Sequence, residues 1–449
     1  MNILFLTSAA PAKAGFYTSE KRPPLGVGYL MATLKKEGHK IYFSDEYLKP
    51  SNILETSFLS DHKIDVVGIY SNTICYDSTL SMFQQLQLKR DKKEWSGKIM
   101  VGGPHTSMGH NEIPEYVDFV VIGEGEITVP RILRGEIKDR IVYGEKVEDL
   151  DSLPMPAWED FIYRPYHWNS SWGEVYPIYT FNTSRGCPFP CTFCSVKTIW
   201  GKTYRFMSAE RVIHDIEHMI RHYGAKGIYF REDHFTLNKK RTIEFCELLL
   251  KKNLKIDWYC ETRVDHLDDY EYQKLMADAG CKAFYIGVES GSPRMLEFYK
   301  KGETREQFIK AFEIAHKVGI KTYGSFIVGF PTETEEDVRL TEDLKEIIKP
   351  DFIGNCVYLG IPGSETYDFI RENNLYEYED NKHILYPVGF KKNANKYYGG
   401  DPYVDLYTLN DTIEPSDANS IKQTEAIEVD SSCKESNSPV RGWLRKVFG

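Results

Sequence analysis

The sequence predicts an α/β protein with two parallel-sheet domains in series. Short apolar runs alternate with amphipathic stretches over residues 1–145, and the same alternation resumes at Ile178 and continues to about residue 357. Such strand–helix alternation is typical of parallel sheets covered by helices. A segment rich in proline and tryptophan, residues 146–178, separates the two regions, and a chain of 449 residues is long enough for two or three domains.

The first domain, residues 1–145, is expected to form a doubly wound sheet with helices on both faces. The apolar N-terminus is interpreted as its first buried strand, because a signal peptide would need a basic start and a longer apolar core. Helical patterns lie at about 26–37, 78–90 and 125–134. The predicted strands are Ile3–Thr7, Lys40–Ser44, Asp65–Tyr70, Lys98–Val101 and Phe119–Ile122.

Two glycine-rich loops follow predicted strands of this domain. In open parallel sheets ligands bind beyond the carboxyl ends of the strands, and glycines there let the backbone approach a bulky ligand. The candidate binding residues are Gly102, Gly103 and His105 in one loop and Gly123, Glu124 and Gly125 in the other. His105 fits a purely structural hydrogen bond equally well.

The segment 146–178 is expected to be an ordered linker. Its prolines interrupt regular structure, and its tryptophans, Trp158, Trp168 and Trp172, favour packing between domains over a substrate cage. Six further strand–helix units follow over residues 179–360, with helices near 208–222, 239–251, 268–279, 305–318 and 335–347. The predicted strands are Ile178–Thr183, Gly227–Arg231, Asp257–Thr262, Ala283–Gly287, Lys321–Ile327 and Phe352–Val357.

Three cysteines with C-x3-C-x2-C spacing, Cys187, Cys191 and Cys194, lie in the loop after the first of these strands. Thiolates are the usual ligands of iron–sulfur clusters, which normally take four. A [4Fe–4S] cluster held by three thiolates would leave one iron open to a small ligand. The alternative is a zinc site, but zinc needs a fourth ligand, and His214 lies about twenty residues away in a predicted helix.

The cysteine spacing, with Phe193 just before the last cysteine, resembles the radical S-adenosylmethionine (SAM) superfamily. The resemblance implies a partial (β/α)6 barrel, SAM bound to the open iron, and reductive cleavage of SAM to a 5′-deoxyadenosyl radical. Segments at the later strand ends also match this family in order. The SAM contacts that the resemblance implies are Phe193, Glu232, Asp233, Arg263, Glu289, Ser290 and Gly329.

The first domain resembles the cobalamin-binding domain, of flavodoxin-like or Rossmann-like fold, that many radical SAM enzymes carry. The resemblance rests on the order of Pro23–Leu30, the Gly-Gly-Pro-His loop and the Gly-Glu-Gly-Glu loop. It implies that the two loops contact a corrinoid. The D-x-H-x-x-G motif, through which other cobalamin proteins supply a histidine to cobalt, is not found, so no lower axial ligand is predicted. A domain that no longer binds a corrinoid is the alternative.

Together the two resemblances imply a cobalamin-dependent radical SAM enzyme that methylates an unactivated carbon of a small molecule or lipid. Cyclisation or another rearrangement is the first alternative. A methylthiotransferase is the second, although such enzymes normally have three more cysteines upstream and this chain has only Cys75 before residue 187. A non-catalytic corrinoid sensor would be expected to have lost a cluster cysteine or a strand-end motif, and neither is lost.

Composition limits which binding partners and which cellular compartment are expected. A net charge of −10 argues against general affinity for nucleic acid, and no run of about 18 apolar residues indicates a membrane span. Nine cysteines, three of them clustered, favour metal binding in the cytoplasm over disulfides. The resemblance implies a reductant such as flavodoxin or ferredoxin. A tyrosine-rich C-terminal cap over 361–408 and a disordered tail over 409–449 complete the predicted organisation.

Overall fold

The first sheet of the computed structural model has six parallel strands in the order β2-β1-β3-β4-β5-β6. The structure describes residues 1–9, 21–170, 173–380 and 383–398, so Trp172 and the predicted tail lie outside the described residues. The strands are β1 (Asn2–Thr7), β2 (Lys40–Asp45), β3 (Val66–Tyr70), β4 (Lys98–Gly102), β5 (Phe119–Ile122) and β6 (Ile141–Tyr143). The helices are α1 (Leu25–Lys36), α2 (Phe58–Asp61), α3 (Tyr76–Asp91), α4 (Pro104–Gly109) and α5 (Thr128–Leu133).

This strand order confirms the doubly wound fold, with its switch point between β1 and β3. The strand β6, of three residues, was not predicted from the sequence. A loop was predicted where the structure has α4. Proline is favoured at the first position of a helix, and Pro104 takes that position directly after Gly103. The second half of the Gly-Gly-Pro-His segment is therefore helical.

The second sheet also has six parallel strands, in the order β14-β13-β12-β11-β10-β7, so β7 and β14 are its edges. Its strands are β7 (Ile178–Phe181), β10 (Gly227–Phe230), β11 (Asp257–Thr262), β12 (Cys281–Glu289), β13 (Lys321–Val328) and β14 (Phe352–Val357). Two short strands, β8 (Ser184–Arg185) and β9 (Arg205–Phe206), pair antiparallel beside it. The helices are α6 (Val196–Trp200), α7 (Ala209–Tyr223), α8 (Lys239–Lys251), α9 (Tyr270–Asp278), α10 (Pro293–Phe298), α11 (Arg305–Val318) and α12 (Glu335–Ile348).

Alternate residues of the second sheet face two different environments. Phe230, Trp258 and Cys260 belong to the core shared with the covering helices. Tyr229 and Tyr259 lie on the inner face in a separate apolar cluster, and the Tyr229 hydroxyl donates to Glu261 over 2.5 Å. Cys260 and Glu261 therefore face opposite sides of the sheet, and Glu261 is the one that faces inward.

The linker packs against both sheets. Trp158 is 1% exposed and contacts Tyr179 and Phe181 of β7. On its other side the linker meets α1, where the Ala157 amide donates to the Gly28 carbonyl over 3.0 Å. The predicted packing of Trp158 between the two halves is therefore confirmed, and both sheets lie in one compact unit.

The described chain ends in a small cap. Its elements are α13 (Glu365–Glu372), the antiparallel hairpin β15 (Tyr376–Asp380) and β16 (Ile384–Pro387), and α14 (Phe390–Tyr398). His383, just before β16, reaches the first domain and lies 3.1 Å from the carboxylate of Glu112. Within the described ranges, no helix has the length and apolar character needed to cross a membrane.

Candidate functional site

The three cysteines lie on one loop between β8 and α6. Cys191 is buried, and Cys187 and Cys194 are partly buried. Thr192 fixes the middle of the loop, because its amide donates to the Tyr299 carbonyl over 2.9 Å and its carbonyl accepts from the Thr366 amide over 3.0 Å. The loop is therefore held from α10 and from the cap, and it presents three sulfur donors from ten residues of chain.

Burial raises the pKa of all three thiols. For Cys194 the pKa reaches about 12, because Asp233 and the two other sulfurs add to the effect of burial. Three thiolates are thus unfavourable here without a cation, and cation binding would release their protons. In the described part of the chain no three His, Cys, Asp or Glu side chains converge as ligands of a single ion. Three thiols that bind different irons need not converge, so the donor set fits a [4Fe–4S] cluster.

Glu232 anchors the start of the cysteine loop. Its carboxylate accepts hydrogen bonds from the amides of Thr183 and Ser184 over 2.5 and 2.6 Å and lies 3.8 Å from the guanidinium of Arg241. It is 4% exposed. The geometry therefore assigns Glu232 to holding the loop, while the SAM contact predicted for it stays a prediction.

Asp233, the neighbour of Glu232, faces the open side of the site. Its carboxylate accepts from the Gly186 amide over 3.2 Å. The side chain is accessible to solvent, yet the surrounding protein desolvates it, and together with the charge of Glu232 this raises its pKa to about 6. Of these two acidic residues, Asp233 is the better placed for a cationic ligand group.

Arg263 lies directly against the cysteine loop. One of its Nη atoms is 3.5 Å from Cys191 Sγ, and its guanidinium stacks 3.8 Å from the Phe189 ring centre. It also donates to Asp265 Oδ2 and to the Lys301 carbonyl, each over 2.6 Å. The guanidinium, which was predicted to contact SAM, is therefore already hydrogen-bonded within the protein. Its positive charge partly offsets the rise in the pKa of the Cys191 thiol that burial causes.

A buried lysine in this region, Lys301, was not predicted from the sequence. Lys301 Nζ lies 3.3 Å from both Glu289 and Glu303. Burial alone would lower the pKa of Lys301, but the two carboxylates raise it overall. In the sequence it belongs to a Lys-Lys-Gly-Glu run that is typical of an exposed turn. No local signal therefore indicates that this lysine is buried.

The remaining SAM candidates differ in accessibility. Glu289 is at the edge of burial and pairs with Lys301, whereas the Ser290 hydroxyl is buried 3.1 Å from Thr341 Oγ1 of α12. Phe193 packs edge-on against Tyr299. Gly329 donates its amide to Glu333 over 2.8 Å and lies close to Asn393 of the cap. None of these contacts tests SAM binding, which stays a prediction for all four.

The Gly-Gly-Pro-His segment lies at the carboxyl ends of β3 and β4. Gly103 has φ of +106°, and a Cβ on it would lie 2.5 Å from the Ser71 carbonyl, so this position requires glycine. His105 is 1% exposed, packs against Tyr76 and His383, and lies with Nδ1 3.3 Å from Thr73 Oγ1. Burial and the nearby His383 lower its pKa to about 3, so His105 is neutral.

These residues fit a large polar ligand such as a corrinoid. Nε2 of His105 is buried and has no hydrogen-bond partner among the described residues. A buried polar atom of this kind is normally satisfied, so a bound ligand is a natural partner. A Cβ on Gly102 would touch only Val121, at 3.7 Å or more, and one on Gly123 would touch nothing within 4 Å. Space for a ligand therefore lies beside both loops.

Glu124 points away from that space. It accepts from Arg185 over 2.6 Å and from Arg205, and it is 5% exposed. Glu126, two residues on, accepts from Arg185 over 2.5 Å. Because Arg185 lies two residues before Cys187, the second glycine-rich loop is joined directly to the cysteine loop.

Comparison with protein families gives two matches on this chain. Residues 181–344 match the radical SAM superfamily, and residues 18–133 match the B12-binding domain. Three relatives illustrate the similarity. An uncharacterized methyltransferase of Pyrococcus horikoshii is 33% identical over 380 residues, 79% of each chain. The anaerobic magnesium-protoporphyrin IX monomethyl ester cyclase of Rubrivivax gelatinosus is 26% identical over 394 residues, 80% of this chain and 68% of the relative.

The third relative is a solved structure. OxsB, a cobalamin-dependent SAM radical enzyme with aqua-cobalamin bound, superposes with a TM-score of 0.68 at 20% identity. The match covers 83% of this chain and 61% of the OxsB chain. At that identity the likeness shows a shared fold, and this chain spans about three-fifths of the length of OxsB.

Proposed function

The chain belongs to the radical SAM enzymes with an N-terminal cobalamin-binding domain, and on that premise we propose that it methylates an unactivated carbon of a small molecule or lipid. Its cofactors are SAM, a [4Fe–4S] cluster and cobalamin. When bound, the cluster supplies the electron that cleaves SAM and the corrinoid supplies the methyl group.

One observation carries the proposal. Arg185, two residues before Cys187, forms buried ion pairs with Glu124 and Glu126 of the second glycine-rich loop. A loop that serves one cofactor is thus in contact with the loop that serves the other. Methyl transfer needs both centres to reach one substrate carbon, and this contact supports such a shared chamber.

The proposed division of labour follows the two sheets. Residues 1–145 bind the corrinoid, 179–360 bind the cluster and SAM, 146–178 form the linker, and 361–408 cover the substrate side. Cys187, Cys191 and Cys194 bind the cluster through deprotonated sulfurs. Gly102, Gly103, His105, Gly123 and Gly125 line the corrinoid site, where neutral His105 offers Nε2 as a hydrogen-bond partner.

On the SAM side we assign different tasks to the charged residues. Asp233 and Glu289 bind SAM: the Asp233 carboxylate is accessible to solvent, and Glu289 lies at the edge of burial beside Lys301. Glu232 orients the cysteine loop, and Arg263 neutralises the thiolate of Cys191. Phe193, Ser290 and Gly329 remain proposed SAM contacts through packing and main-chain groups.

A second candidate function is ring closure or rearrangement, because one relative of this chain is a cyclase. The two reactions differ in where the SAM methyl group goes. With SAM carrying a deuterated methyl group, methylation places the label in the product, whereas cyclisation yields 5′-deoxyadenosine and an unlabelled product. Product mass therefore decides between them.

We further propose that the protein works in the cytoplasm with a flavodoxin or ferredoxin as reductant. All eight described cysteines are free thiols, which suits a reducing compartment. The net charge of −10 argues against nucleic acid as the substrate.

The first experiment measures both cofactors on one sample. The protein is purified without oxygen and reconstituted with iron, sulfide and hydroxocobalamin, and bound iron and corrinoid are then quantified. About four irons and one corrinoid per chain, with 5′-deoxyadenosine formed after adding SAM and a reductant, would support the proposal. Iron without corrinoid would contradict the methyl-transfer function, and neither cofactor would contradict the whole assignment.

A further inference from the structure

Four charged side chains form a buried ion cluster between the two halves of the protein. We call Glu124, Glu126, Arg185 and Arg205 the interface ion cluster. Each is 5–8% exposed. Arg185 donates to Glu124 over 2.6 Å and to Glu126 over 2.5 Å, and Arg205 donates to both oxygens of Glu124, over 3.1 Å to Oε2.

The interface ion cluster is held by further contacts with both halves of the protein. The guanidinium of Arg185 lies 5.6 Å from the ring centre of Tyr29 in α1 and 5.3 Å from that of Trp200 in α6. Arg205 donates to the Val147 carbonyl over 2.5 Å, and the Val147 amide donates to Glu124 over 3.2 Å. Both carboxylates come from the loop after β5, and both arginines come from the paired strands that flank the cysteine loop.

Stability alone does not explain such an arrangement. A buried ion pair contributes little more than apolar side chains of similar volume would, because desolvation offsets the attraction. What it does impose is geometry, since a charge that loses its buried partner is costly. A displacement of either loop by about 1 Å would break hydrogen bonds of 2.5–2.6 Å.

We propose that the interface ion cluster couples the two cofactor sites, so that filling one raises the affinity of the other. Binding a ligand orders the loop that contacts it, and a second ligand then binds a partner loop whose ordering is already complete. The four residues are positioning residues, because none of them touches a cofactor in this assignment. The inference rests on the proposed function, which places the corrinoid beside Gly123 and the cluster on the cysteine loop.

Coupling of this kind is reciprocal and measurable without a substrate. Hydroxocobalamin is titrated into the full chain under anaerobic conditions, once without the cluster and once after reconstitution with iron and sulfide. We expect the corrinoid to bind at least about fivefold more tightly to the cluster-loaded protein. Iron uptake should be favoured by the same factor when hydroxocobalamin is already bound.

A variant tests whether the interface ion cluster carries the effect. Glu126→Gln removes the Arg185–Glu126 ion pair and leaves Arg185 paired with Glu124. Both sites should therefore still fill, while the ratio of affinities falls below the wild-type value. The matched control is Asp118→Asn. Asp118 forms a partly buried ion pair with Arg90, but at the amino end of β5, so the wild-type ratio should be retained.

The possible outcomes separate the coupling from the proposed function. Equal corrinoid affinity with and without the cluster in the wild type overturns the coupling and leaves the function standing. A wild-type ratio in Glu126→Gln, or a lost ratio in Asp118→Asn, overturns the assignment to the interface ion cluster. No corrinoid bound in either state overturns both. The wild-type titrations need no variant, so they decide the coupling even if Glu126→Gln does not fold.

Discussion

Replacing Gly186 with alanine should displace the cysteine loop. Gly186 directly precedes Cys187 and has φ of +87°. A Cβ at this position would lie 2.1 Å from the main-chain carbonyl oxygen of Thr203. That oxygen cannot rotate away as a flexible side chain could, so the backbone itself must move.

The size of the displacement follows from that distance. Side-chain Cβ atoms essentially never come within 3.0 Å of another heavy atom, so relief requires a movement of about 0.9 Å. Functional groups must be held within about 0.5 Å of their working geometry, and a misplacement of 1 Å can cost about 100-fold in rate. The positive φ adds about 1–2 kcal/mol of strain for alanine.

The assay separates displacement from strain. Gly224→Ala is the control, because Gly224 has φ of +66° at the end of α7 and a Cβ there meets nothing within 4 Å. Gly224→Ala should lose only the stability that the positive φ costs, and Gly186→Ala should lose more because of the added clash. After anaerobic reconstitution, only Gly186→Ala should lose iron and the electron paramagnetic resonance signal of the reduced cluster, with 5′-deoxyadenosine formation reduced about 100-fold.

Two results would refute this reasoning. The first is Gly186→Ala with wild-type iron content and an unchanged spectrum, which would mean that the loop absorbs the clash elsewhere. The second is an equal loss of iron in Gly224→Ala, which would mean that general destabilisation is the cause.

Three further predictions concern the thiols, the buried lysine and acid stability. Cys191→Ala should abolish the reduced-cluster spectrum, whereas Cys246→Ala, which removes a buried thiol of α8, should retain it. Lys301→Met leaves buried Glu289 without its cation and Glu303 with only Arg263, 3.6 Å away, and should lower the free energy of unfolding by about 3–5 kcal/mol. Lys300→Met, at the exposed neighbouring position, should change it by no more than about 1 kcal/mol, and denaturant titration distinguishes the two. His105 takes up a proton at about pH 6.5 when unfolded but only at about pH 3 when folded. The unfolded state therefore binds more protons between these values, and this histidine should cost up to about 1.4 kcal/mol of stability for each pH unit below 6.5. His105→Gln should show a shallower loss in acid unfolding, and an unchanged slope would contradict the assigned burial.

The architecture was predictable because strands and helices are encoded locally. The five strands predicted for the first sheet and the six for the second are all present within a few residues of their expected bounds. The errors have local causes as well. The strand at Ile141–Tyr143 is too short to show periodicity. The glycine before Pro104 is typical of a loop, although proline is also favoured at the first position of a helix.

The site was predictable only where its residues are close in sequence. The cysteine spacing is a local signal, and it predicts a cluster on the loop that the structure places between β8 and α6. The partners of Glu124 are 61 and 81 residues away, so no local pattern shows that its side chain turns toward the arginines. Lys301 is a similar case, because a charged turn becomes a buried ion network only once β12 and α10 bring it under the cysteine loop.

The packed linker has a consequence for anyone who wishes to excise the corrinoid-binding half. A fragment ending at residue 145 would leave α1 without its cover, since Gly28 meets Phe161 and Pro156 there. Exposed apolar patches of this kind promote aggregation. A useful fragment, or a fusion partner built from it, should therefore extend through Trp168 and replace the contacts that β7 supplies. A soluble fragment of this half must therefore end well after the last strand of its sheet.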